Sequence, residues 1–240
     1  MQDINGMTHN LKKDLKDPEL RRRAGNVALS HCRKGIGVLN EINPNDVAYL
    51  TSRLRFYKLR WVRKGEMAIV WDPNYITMDA WTWRKISDGG YIGADGVKGV
   101  GDDRRVGPSR YALKFKGKVI SDRTPIMVLA VHKMAKAFTE HKWRQRLWWR
   151  STRNVARFIR LSLKRYPNGF IAGDENAPFF VDYPGLAEVN AKAPATFGRR
   201  HYDQVLTFGA FTALDIQEFS TPSDHNGLRW RIRKVLTHAR

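Results

Sequence analysis

The stretch Phe170-Ile171-Ala172-Gly173-Asp174-Glu175-Asn176 runs a strand-type apolar segment into a glycine and then delivers Asp174 and Asn176 two positions apart. Residues i and i+2 of a strand face the same side, so the spacing predicts a carboxylate and an amide aimed at one spot. Such a pair suits a hard cation or a phosphate oxygen. Taken alone, Gly-Asp-x-Asn is more often only an Asx-type turn closing a strand. Other stretches share the form of an apolar strand ending in residues suited to phosphate chemistry: Gly6-Met7-Thr8-His9-Asn10, Ile36-Gly37-Val38-Leu39-Asn40-Glu41, Met127-Val128-Leu129-Ala130-Val131-His132, and Ser223-Asp224-His225 near the C-terminus. Glu41 carries the most information, because a carboxylate at the end of an apolar strand is costly to bury unless something compensates its charge.

In chain order these residues read Asn, Glu, His, Asp-x-Asn, Asp-His, and in that order they resemble the endonuclease/exonuclease/phosphatase superfamily, the fold of deoxyribonuclease I. The resemblance runs from Asn10 to His225. It implies an α+β chain folded as a four-layer α/β/β/α sandwich, two packed and mainly antiparallel sheets flanked by helices, with the catalytic strand ends gathered at one edge. It also implies divalent-metal-dependent phosphodiester hydrolysis with Mg2+, or Mn2+ or Ca2+, as cofactor. On that basis Glu41 is a metal ligand, supported by Asn10, Asp174 and Asp224. Asn10, Arg110 and Asn176 meet the substrate phosphate, and Asp174 helps to orient the attacking water. His225 is the general base or binds phosphate, with Asp203 orienting it. His132 is the acid for the leaving oxygen, paired with Glu66. The chain departs from the family pattern at Asn40, where Gln is usual, at Glu175, where an aromatic or apolar residue is usual, and around Asp203, where His201 and Gln204 replace Arg and Tyr.

Composition points the same way. The chain has 240 residues, 42% of them hydrophobic, enough for a substantial core, and we expect a single domain over 1–240. A formal charge of +20, from 43 Lys and Arg against 23 Asp and Glu, makes a polyanion the natural partner. DNA is the expected substrate and RNA an alternative. A phosphatase of inositol or lipid phosphates is the rival enzyme, and a basic nucleic-acid binder with a vestigial site is the rival from another class. No apolar run approaches the ~20 residues that span a bilayer, and no secretory signal opens the chain. Cys32 is the sole cysteine, which excludes an intrachain disulfide. A monomer in the cytoplasm, of a bacterium or a phage-infected cell, and without stable membrane association, is the expectation.

Pattern along the chain predicts a helix from Pro18 to about Cys32, ended by Gly35 and carrying Arg21, Arg22 and Arg23 on a solvated face. Strands are expected at Met7 to Leu11, Ile36 to Ile42, Glu66 to Trp71, Tyr75 to Ile86, Arg110 to Phe115, Ile126 to Val131, Tyr202 to Phe208, Thr212 to Phe219 and Leu228 to Val235. Thr139 to Tyr166 reads as the clearest helix, with Trp148, Val155, Ile159 and Leu163 as its buried stripe and Arg146, Arg150, Arg153, Arg157, Arg160 and Lys164 on a solvated face. The glycine-rich stretch from Asp88 to Pro108 and the Pro- and Ala-rich stretch from Ala177 to Thr196 read as loops.

Overall fold

The computed structural model describes residues 3–11, 16–53, 57–88, 90–92, 104–107, 109–133, 137–138, 142–183, 186, 188–190, 196 and 202–234. In chain order its elements are β1 (Ile4–Asn10), α1 (Pro18–His31), β2 (Gly35–Asn40), α2 (Pro44–Arg53), β3 (Lys58–Val62), β4 (Met67–Trp71) and β5 (Ile76–Ser87). There follow β6 (Gly90–Ile92), β7 (Arg104–Gly107), β8 (Arg110–Val119), β9 (Pro125–His132), α3 (Lys142–Arg160) and β10 (Gly169–Asp174). The chain closes with β11 (Glu188–Asn190), β12 (Asp203–Phe208), β13 (Phe211–Phe219) and β14 (Gly227–Lys234).

Two six-stranded sheets form, in the orders β13-β14-β1-β2-β4-β3 and β11-β12-β10-β9-β8-β5. Each has a single parallel pair, β1 with β2 in the first and β9 with β10 in the second, and is otherwise antiparallel. The two parallel pairs face each other across the sandwich. Their inward residues, among them Ile36, Val38, Val128, Ala130, Phe170 and Ala172, make the core between the sheets. The outward ones are buried too: Met7 and Leu39 lie under α1 and α2, and Met127, Leu129 and Ile171 pack with Trp148, Val155 and Ile159 of α3. Burial on both faces is why β2 and β10 read as unbroken apolar runs rather than alternating ones. This is the four-layer α/β/β/α sandwich.

Register explains why one edge of the sandwich is special. Asn10 pairs with Asn40 at the end of β1/β2, and Asp174 pairs with His132 at the end of β9/β10. Parallel strands finish together, so their last residues emerge side by side.

Several expectations need correction. Residues 44–53 and 58–62, which pattern alone leaves unassigned, form α2 and β3. The stretches read as loops contain the β6/β7 ribbon and β11, while residues 93–103 of the glycine-rich segment, with its glycines at 93, 96, 99 and 101, lie outside the described residues. So do His201, Val235 and residues 139–141 of the expected long helix. The left-handed residue after α1 is Lys34, with φ 63°, rather than Gly35. Gly35 begins β2, where a Cβ would stand 1.8 Å from the carbonyl oxygen of Asn5. Arg21 is not solvated but buried, its guanidinium bound to Asp46 of α2.

Candidate active site

Asp174 ends β10, and the strand stops there. Gly173 precedes it with φ 135°, and any Cβ at that position would lie 2.1 Å from the carbonyl oxygen of Val131 on β9, so only glycine lets β10 finish this close to its neighbour. Asn176 is therefore not a strand residue two positions on. It adopts φ 49°, and its backbone N–H donates to Asp174 Oδ1 at 2.8 Å in an Asx-type turn. Strand alternation and turn were rival readings of this motif, and the turn is the one that forms. Asn176 is still buried beside the site, its Nδ2 donating to the carbonyl of Lys133 at 3.1 Å.

Asn10, at the end of β1, donates from Nδ2 to Asp174 Oδ2 at 3.0 Å, bridging the two sheets. Glu41 follows β2 in a left-handed conformation, φ 54°, which turns it out of the strand. Glu66, just before β4, is left-handed as well, with φ 52°. Glu41 and Glu66 thus each hold a left-handed backbone conformation that costs a non-glycine residue about 1–3 kcal/mol, one that Asn176 adopts more readily.

His132 Nε2 lies 3.7 Å from Glu41 Oε1 and 3.9 Å from Asp174 Oδ2, too far for hydrogen bonds. One ligand atom from each of these three residues falls within 4.8 Å of the others. Burial, foremost, and the charges of Asp203 and Glu41 push the Asp174 carboxyl up to about 8, against the charge of His225 and the Asn176 N–H bond, which lower it. Arg110, at the start of β8, sets one guanidinium nitrogen 3.3 Å from both ring nitrogens of His132, so it approaches the ring between them and not along one lone pair. Burial lowers Arg110 from its ordinary value, against the charges of Asp174, Glu66 and Glu41 around it. Glu66 and His132 are thereby linked through Arg110.

Asp203, at the start of β12, pairs with Asp174 across β10/β12 and is fully buried. His225 Nδ1 lies 2.8 Å from its Oδ2. Burial pulls His225 down, but that hydrogen bond and the charges of Asp203, Asp174 and Asp224 outweigh it and raise the imidazole to about 9. Ser223 ties the loop to β1 by donating to the carbonyl of Asn10 at 2.8 Å. Asp224 is exposed and stands outside the Glu41, His132 and Asp174 group, although its charge reaches His225. Asn10, Glu41, Glu66, Arg110, His132, Asp174, Asn176, Asp203 and His225 are brought together at one edge, the two sheets contributing from both sides.

Two supports were not visible in the sequence. Arg21 donates to the carbonyl of Glu41 at 3.1 Å and to that of Leu11 at 3.3 Å, fixing the backbone on which Glu41 turns. Lys133 and Glu175, the residues after His132 and Asp174, form a fully buried ion pair at 2.7 Å. Its surroundings are polar and aromatic: Lys133 donates to Thr152 Oγ1 at 2.8 Å and sits 4.0 Å from the Trp148 ring centroid, and Tyr183 donates to Glu175 at 2.5 Å. Glu175 thus points away from the site into α3.

No protein-family model matches the sequence, and no curated protein matches it. Solved structures do. An endonuclease/exonuclease/phosphatase from Bacteroides vulgatus superposes with a TM-score of 0.70 at 14% identity, covering 98% of this chain and 100% of that one. A mannosyl-6-phosphatase from Bacteroides thetaiotaomicron gives 0.70 at 12% identity over 96% and 99%. D. rerio TDP2, solved with a single-strand DNA product, gives 0.67 at 14% identity over 98% and 100%. The chain has the endonuclease/exonuclease/phosphatase fold over nearly its whole length.

Proposed function

We propose that the protein is a divalent-metal-dependent phosphodiesterase of the endonuclease/exonuclease/phosphatase superfamily, acting on nucleic acid with Mg2+. The observation that carries this reading is the convergence of Glu41, His132 and Asp174 beside the Asp203–His225 pair at one sheet edge. Two carboxylates brought together at the end of apolar strands, one of them with its pKa pushed to about 8, make a donor set that fits a hard cation better than it fits an empty pocket. Glu41 and Asp174 would hold the ion, with Asn10 fixing Asp174 Oδ2, and Asp224 stays outside the set. The cation supplies charge neutralisation at the phosphoryl oxygens.

The remaining roles belong to the chain. With Nδ1 committed to Asp203, Nε2 of His225 is the nitrogen that would take the attacking water's proton, a cation bound beside Asp174 lowering the imidazole from its metal-free value of about 9. Asp174 orients that water. Asn176, whose amide gives one hydrogen to Lys133, has a second for a phosphoryl oxygen. Arg110 holds the phosphate against His132, which protonates the leaving oxygen, and Glu66 balances the Arg110 charge.

The choice of nucleic acid is supported by the +20 charge and by TDP2, a fold relative solved with a single-strand DNA product. A gel comparing supercoiled plasmid, linear duplex, single strand and RNA, with and without Mg2+, tests it alongside phosphate release from inositol phosphates. Mg2+-dependent cleavage of any nucleic acid is the expected result. Phosphate release from the small esters with every nucleic acid left intact would reverse the substrate assignment.

A further inference from the structure

The open side of the sandwich next to the site carries large apolar surface that neither the core nor the proposed chemistry uses. β3 and β5 are edge strands of their respective sheets. On β5, Trp81 is 39% and Trp83 44% exposed. Their register partners on β8 are Phe115 and Leu113, both in the core between the sheets, so the two indoles stand on the inward face of the second sheet yet emerge at its edge. From the first sheet, β3 turns Lys58 and Arg60 to the same rim, and the Arg60 guanidinium lies 5.8 Å from the Trp81 ring centroid. Trp83 meets Tyr111 edge-on at 5.5 Å, and Tyr111 adjoins Arg110, the cation against His132. Trp81, Trp83 and Tyr111 therefore form a file that ends at the candidate active site. At ~3.3 Å per strand residue, Trp83 stands level with a point about 10 Å from Arg110 and Trp81 about 17 Å from it.

We infer that this file is a stacking ledge for an unpaired nucleic-acid strand leading into the site. The inference rests on the nucleic-acid reading above and narrows it to substrates with unpaired bases. Bases offer a π-face only when unpaired, and half-exposed aromatic rings with cations beside them bind single strands by stacking on the rings and attracting the backbone. A duplex would meet the same cations but could not lay its bases on the indoles. Charge complementarity is supplied by Lys58 and Arg60, within a chain of net charge +20.

The test compares the wild type with Trp81→Ala/Trp83→Ala in chelator, where no cleavage occurs, by fluorescence anisotropy on oligothymidylate, oligouridylate and a DNA duplex of equal length. The double variant should bind the single strands about tenfold or more weakly and the duplex within about twofold of the wild type. The two single strands show whether DNA or RNA is the better occupant. Unchanged single-strand affinity, or equal losses on single strand and duplex, would overturn the ledge. If the double variant does not fold, Trp81→Phe/Trp83→Phe, which keeps the rings, should retain single-strand affinity. In that case quenching of the wild type's tryptophan fluorescence by single strand, reduced in Trp83→Phe, becomes the deciding signal, and no quenching sinks the idea. Hydrolysis of bis(p-nitrophenyl) phosphate, which has no base to stack, is read in parallel. Its absence in the wild type counts against the phosphodiesterase reading, whereas its presence with unmoved single-strand affinity counts against the ledge alone.

Discussion

At single residues, charge that holds a cation and charge that moves a proton should respond differently to substitution. Glu41→Gln keeps the shape of the side chain but removes the charge a hard cation needs, so its activity should be recovered, at least in part, by raising Mg2+. His225→Ala should lose activity by about two to four orders of magnitude and stay low at saturating metal. A Mg2+ titration of both variants checks this, and the opposite pattern would reverse the two roles. Asp203→Asn probes the second case through pH. Burial favours neutral His225, and Asp203 overrides it to hold the folded value at about 9, above the ordinary 6.5. A histidine with a raised folded value contributes stability that is full below about 6.5 and fades as pH rises through about 9. In metal-free protein, NMR titration of His225 should give a value near 9 in the wild type and well below it in Asp203→Asn. The variant should also lose part of the stability that the wild type shows below about pH 6.5. A His225 that titrates alike in both proteins would mean that Asp203 does not govern it.

At the scale of elements, what positions the site is the way β9 and β10 end against α3. Lys133 and Glu175 are fully buried and bound to each other, one residue beyond His132 and Asp174, so the ion pair pins the two strand ends to Trp148, Thr152 and Tyr183. Lys133→Met alone leaves Glu175 buried and uncompensated and should cost about 3–5 kcal/mol in urea unfolding. Lys133→Met/Glu175→Leu removes both charges and should recover most of that loss. Equal destabilisation in the single and double variants would show that shape, and not the charge pair, matters there. This network was illegible in the sequence, because burial of Lys133 and Glu175 depends on Trp148 and Tyr183 arriving from elsewhere in the chain. Arg21 misled for the same reason: a cation in an Arg-Arg-Arg run looks solvated until α2 brings Asp46 to it. The strands were legible wherever apolar runs stopped at polar residues, and α3 because its apolar stripe and cations keep helical spacing. α2 was not, since Leu50 is its only fully buried apolar residue. That Asn10, Glu41, His132, Asp174, Asn176 and His225 come together could be read because each follows or ends an apolar run, and those runs finish at one edge of the sandwich. The Asp174–Asn176 geometry could not, since it turns on Asn176 taking a left-handed conformation.

At the scale of the whole molecule, charge and fold answer different questions. The fold is shared with phosphatases as well as with TDP2, so it does not choose the substrate. The +20 charge does bear on that choice. Each phosphate contact on duplex DNA releases condensed counterions, so log affinity should fall linearly with log salt, by about 0.9 per contact. Asp174→Ala, which removes the carboxylate proposed to orient the water, should bind duplex of any sequence at low salt and lose roughly a thousandfold in affinity between about 50 and 200 mM salt. A flat salt response would give the charge some other purpose. Replacing Arg153, Arg157 and Arg160 together should change the slope little, because these exposed cations sit on α3, on the outer layer of the sandwich.

Whether these strand ends make a metal-dependent phosphodiesterase is decided by the rate of bis(p-nitrophenyl) phosphate hydrolysis by metal-stripped protein as Mg2+ is returned. We expect no turnover in chelator, turnover that saturates with Mg2+, and none at any Mg2+ concentration in Asp174→Ala. Turnover that ignores chelator, or that survives Asp174→Ala, would rule out metal-dependent hydrolysis at these residues.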